Sequence, residues 1–92
     1  METNNPNPSR IKPKYKVSMR LGTETQTKSG ETILEALELL EKPIYFKTKG
    51  IISVKFGKQF AEIYMWPILL RKLFVNQTSR LLLEKRLLSA LK

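Results

Sequence analysis

The sequence predicts an α+β fold: a small antiparallel β-meander of three to four strands with helices packed on one face, in the order β-α-β-β-(β)-α-α. Three observations carry that expectation. KYKVSMRL, residues 14–21, alternates apolar and polar residues with a period of two. GETILEALELLEK, residues 30–42, repeats its apolar residues at helical spacing. Between Pro43 and Gly57, two β-rich runs flank a short turn.

In the first strand Tyr15, Val17, Met19 and Leu21 point one way and Lys14, Lys16, Ser18 and Arg20 the other. That is a half-buried strand with a cationic open face. GTETQTK, residues 22–28, is polar throughout and reads as a loop. Ser29 is placed to cap the first helix, with Glu31 in the first turn, where the helix dipole favours a negative charge. Ile33, Leu34, Leu37 and Leu40 make its apolar stripe with Ala36 at the edge. Glu31, Glu35, Glu38 and Lys42 run down the back, and Pro43 ends the helix.

The next segment reads as a hairpin turning at Lys47-Thr48-Lys49-Gly50. Ile44, Phe46, Ile52, Val54 and Phe56 then share an inner face, leaving Tyr45, Lys47, Ser53 and Lys55 outside. Residues 59–65 fit either a third arm after a Gly57-Lys58 turn or the start of a long helix. Pro67 decides for the arm. Inside a helix its ring would meet the carbonyl of Ile63, and Trp66 before it is biased towards extended geometry. PILLRKLFV then forms a helix with Pro67 in its first turn. NQTS, residues 76–79, breaks the pattern and caps a last helix, RLLLEKRLLSALK. Leu83, Leu87, Ala90 and Leu91 form its stripe, widened by Leu81 and Leu88, with Lys85, Arg86, Ser89 and Lys92 opposite.

Residues 1–13 hold three of the five prolines and three asparagines, too little apolar surface to offset ordering, and read as a mobile tail ahead of a single domain, 14–92. The tail lacks the apolar run of a signal peptide, and Arg71 and Lys72 interrupt the best apolar stretch before it could span a bilayer. A cytoplasmic protein is expected.

The chain has no Cys, His or Asp. Thiolate metal sites, disulfides, and the commonest general base and metal ligand are therefore missing, and no enzyme, cofactor or metal centre is expected. Seventeen Lys and Arg face eight Glu, a net charge of +9. Residues 29–42 sum to −3, which leaves +12 for the rest of the chain. A polyanion is the expected partner.

KGIISVKF, residues 49–56, matches four positions of the RNA-recognition signature K/R-G-F/Y-G/A-F-V-x-F/Y. Ile51 and Ser53 stand where that signature places its base-stacking aromatics, so the match is one of common hairpin residues. What remains is the basic sheet face. Lys14, Lys16, Arg20, Lys47, Lys49, Lys55 and Lys58 are the expected phosphate contacts of RNA or single-stranded DNA, and Tyr45 the stacking residue. The same pattern arises on any solvated sheet whose lysines discourage edge pairing. The alternative is a small subunit or adaptor docking, on a second copy or a larger assembly, through Leu81, Leu88 and Leu91 of the last helix. A membrane surface ranks third, because the cationic charge is spread over the sheet as well as that helix.

Overall fold

The computed structural model describes residues 14–44 and 48–92. It contains β1 (Tyr15–Leu21), β2 (Glu24–Gly30), α1 (Ile33–Leu39), β3 (Gly50–Phe56), β4 (Gln59–Met65), α2 (Pro67–Val75) and α3 (Gln77–Ala90). The α+β class and the one-sided helical layer are as expected from the sequence. The strands form one antiparallel sheet in the order β2-β1-β3-β4, two hairpins side by side joined by α1.

Both hairpins turn in two residues, Gly22-Thr23 and Gly57-Lys58. Gly22 and Gly57 have φ of 61° and 60°, and a glycine with positive φ at the first turn position matches the strand twist. The inner face carries Val17, Met19 and Leu21 from β1, Ile52 and Val54 from β3, and Ala61 and Met65 from β4, all buried. Against them pack Ile33, Ala36, Leu37 and Leu40 of the α1 segment, Leu70 and Leu73 of α2, and Leu83 and Leu87 of α3. Tyr15 stacks on Phe56 at 4.2 Å between ring centroids and closes one end of this core.

Three elements differ from the sequence reading. Residues 24–30 form an edge strand where a loop was expected. Its inward positions are polar and are satisfied locally. The Gln26 side chain donates to the Glu41 carbonyl at 2.7 Å and accepts from the Glu41 N–H at 2.8 Å, and Lys28 lies 3.9 Å from the Glu41 carboxylate. The strand is held by β1 and by the chain leaving α1, so it needs no apolar alternation.

The cap of α1 is Thr32, because Ser29 belongs to β2. Thr32 Oγ1 accepts from the Glu35 N–H at 3.1 Å, and Glu35 Oε1 accepts from the Glu31 N–H at 3.2 Å. Glu84 of α3 adds an acceptor at 2.7 Å for the Leu34 N–H, so a carboxylate from another helix sits where the dipole favours it.

The hairpin expected over residues 44–56 does not form as read. Both edges of β3 are occupied, by β1 and by β4, which leaves none for an arm at 44–46. Ile44 is 88% exposed, and Tyr45, Phe46 and Lys47 lie outside the described residues. The strand at 59–65, the Pro67 helix start and the Asn76 cap of α3 follow the sequence reading, with Asn76 Oδ1 accepting from the Thr78 N–H.

Candidate functional site

The helices cover one face of the sheet and leave the other open. The register aligns the open-face side chains in three rows across the strands. The first is Ser29, Lys16, Lys55 and Phe60; the second Thr27, Ser18, Ser53 and Glu62; the third Thr25, Arg20, Ile51 and Tyr64. Each row runs from β2 through β1 and β3 to β4, with neighbours close enough to act together on one ligand.

The first row is the basic end. Lys14, Lys16 and Lys55, with Gly57, line one shallow depression, and Lys58 stands at the adjoining turn. The third row adds Arg20, and Lys49 enters beside it just before β3. The Lys49 Nζ lies 4.8 Å from the Trp66 ring centroid and 5.8 Å from that of Tyr64, within cation–π range of both. Lys14, Lys16, Arg20, Lys49, Lys55 and Lys58 are all exposed, and none has a carboxylate partner among the described residues. Their charge is available to an anion rather than spent on internal ion pairs.

β4 contributes what the sequence reading assigned elsewhere. Phe60, Tyr64 and Trp66 are 51%, 61% and 61% exposed, and register places Phe60 and Tyr64 on the basic face. Exposed rings of this size present flat apolar faces to solvent beside the cations. The signal was present in the alternation of QFAEIYM. Ala61, Ile63 and Met65 turn inward, and Phe60, Glu62 and Tyr64 turn out.

The structure therefore brings Lys14, Lys16, Arg20, Lys49, Lys55 and Lys58 to one side of the molecule, around aromatics on β4. Tyr45 and Lys47 lie outside the described residues.

The leucines proposed for docking separate. Leu81 and Leu88 are exposed, seven residues apart on one flank of α3, whereas Leu91 is half-buried against the core. A second apolar surface opens between α2 and α3. Met65, Leu69, Leu73, Leu82 and Leu83 line a groove there with Arg86 at its rim, and Leu69 and Leu82 are exposed in it. No helix among the described residues is long and apolar enough to cross a membrane. No protein-family model, curated protein or solved structure matches the chain.

Proposed function

We propose that this chain binds single-stranded nucleic acid, RNA or DNA, on the open face of its sheet and has no catalytic activity of its own. One observation carries the reading: a continuous open face sets exposed cations of β1 and β3, without carboxylate partners among the described residues, across the sheet from exposed aromatic rings on β4. Lys14, Lys16, Arg20, Lys49, Lys55 and Lys58 hold phosphates, and Phe60 and Tyr64 offer π-faces to unstacked bases. Duplex reading is disfavoured. The helix that faces solvent most acidly, α1, repels a phosphate backbone, and α3 interleaves its few Arg and Gln residues with exposed leucines rather than presenting a base-reading set of Arg, Asn and Gln.

The test is binding of a uridine oligomer across a salt series. Engagement of about five phosphates gives a slope of log affinity against log salt near −3.5. A slope near zero would sink the electrostatic reading. Binding equal to that of heparin, with no advantage for bases, would remove the aromatic part.

A second reading, a subunit or adaptor that docks through its C-terminal helices, draws support from the α2–α3 groove and the exposed Leu81 and Leu88. Self-association or complex formation lost on Leu82→Glu, with oligomer binding unchanged, would favour that role.

A further inference from the structure

The open face is basic at both ends and not in the middle. Its central row, Thr27, Ser18, Ser53 and Glu62, holds hydroxyls and one carboxylate, with Ser18 and Thr27 hydrogen-bonded to each other at 2.9 Å. Glu62 is the one acid on this face among the described residues, exposed and without a hydrogen-bond or ion-pair partner there. On a surface meant only to attract phosphates, a carboxylate at the centre of the aromatic strand works against the purpose.

Position gives it a use. Phe60, Glu62 and Tyr64 follow one another at every second residue of β4, about 6.6 Å per step. Stacked nucleotides advance about 3.4 Å per step, so this spacing suits an extended strand with one base per outward side chain. The cations stand in the rows of the two rings: Lys55 is beside Phe60 with Lys16 one strand further, and Arg20 shares the row of Tyr64 across Ile51. A strand with its phosphates drawn to those rows would set its middle base over Glu62.

Resting on the single-strand reading above, we infer that Glu62 reads the Watson–Crick edge of the middle base and selects guanine. A carboxylate offers two oxygens that only accept. Guanine alone presents two adjacent donors on that edge, N1–H and the 2-amino group, and so can meet both oxygens at once. Cytosine and adenine pair one amino donor with an unprotonated ring nitrogen, which repels the second oxygen. Uracil sets its single N–H between two carbonyls. Unstacked bases held on aromatics are commonly read along this edge.

The experiment uses the full chain and heptamers of uridine carrying guanine, inosine, adenine, cytosine or uridine at the centre, with affinities read by fluorescence anisotropy at one fixed salt concentration. The guanine oligomer should bind on the order of tenfold tighter than the all-uridine one. Inosine, which keeps N1–H and lacks the 2-amino group, should lose most of that gain. Glu62→Gln and Glu62→Ala, checked for folding by circular dichroism, should bind all-uridine at least as well as the parent and show no guanine preference. Equal affinity for all five oligomers, or a guanine preference that survives both substitutions, would overturn the inference and leave the single-strand reading standing. Failure of the parent to bind any oligomer would overturn both.

Discussion

At the scale of single residues, the two rings on β4 separate a stacking surface from a merely exposed one. Tyr64→Ala and Phe60→Ala should each cost about 1–3 kcal/mol in single-strand affinity, measured by fluorescence titration. Tyr64→Phe should bind nearly as the parent does, because stacking needs only the ring. Two glycines make a matching contrast in stability. A Cβ on Gly30 would lie 2.8 Å from the Ala36 nitrogen and 3.0 Å from the Thr32 oxygen, both backbone atoms at the tight entry to α1. At Gly22 a Cβ meets nothing within 4 Å, and only the φ of +61° opposes it. Gly30→Ala should therefore lose more, about 1–3 kcal/mol against roughly 1 kcal/mol for Gly22→Ala. Thermal unfolding resolves the two, since 1 kcal/mol moves Tm by about 4–8 °C in a domain of this size. Equal losses would mean that the Gly30 approach relaxes freely.

At the scale of elements, α1 is the piece least able to stand alone. Seven residues are too few for a stable isolated helix, and its N-terminus depends on Thr32 and on Glu84 reaching across from α3. Glu84→Ala should cost about 1–3 kcal/mol by leaving the Leu34 N–H without its acceptor, and Glu84→Gln less, because an acceptor remains. Truncation after Gln77 goes further. It removes buried Leu83 and Leu87 together with Leu91 and Glu84. Each buried leucine contributes about 1.5–3 kcal/mol, and the sum approaches the whole stability of a small domain, so circular dichroism should show an unfolded chain. β1, β4, α2 and α3 were legible in the sequence because each carries its own apolar periodicity or a proline with one meaning. β2 was not, because its inward side chains, Gln26 and Lys28, are polar and their partner is Glu41, fifteen and thirteen residues on. The one local hint, Gly22-Thr23 between two extended runs, is a hairpin turn without an apolar strand behind it. The pairing expected between 44–46 and β3 meets an obstacle of topology, since both edges of β3 are taken. Nothing in YFKTKGIIS says that β1 has already taken the edge beside β3.

At the scale of the whole molecule, the charge is polarised. Glu31, Glu35, Glu38 and Glu41 gather on the α1 side, and the open face of the sheet collects Lys14, Lys16, Arg20 and Lys55. The cationic half of the site was readable from the alternation of β1 alone. The aromatic half was not, because the expected stacking residue, Tyr45, lay on the hairpin arm before the turn at 47–50, while β3–β4 pairing sets Phe60 beside Lys55 and Tyr64 beside Ile51. Whether binding follows this face or only the net charge of +9 can be decided by moving the same charge from two places. Lys16→Glu with Lys55→Glu reverses two neighbours on the open face. Lys72→Glu with Lys85→Glu reverses two exposed lysines of α2 and α3, in the helical layer. Each pair lowers the net charge by the same amount, so any long-range attraction falls equally. The sheet pair should abolish single-strand binding at moderate salt, because two phosphate contacts become repulsions. The helix pair should weaken it only a few-fold and keep most of the salt slope. Both pairs are solvent-facing, and their unfolding temperatures should stay close to that of the parent. Equal losses from the two pairs would show that the protein attracts polyanions as a charged body, with no site on the sheet.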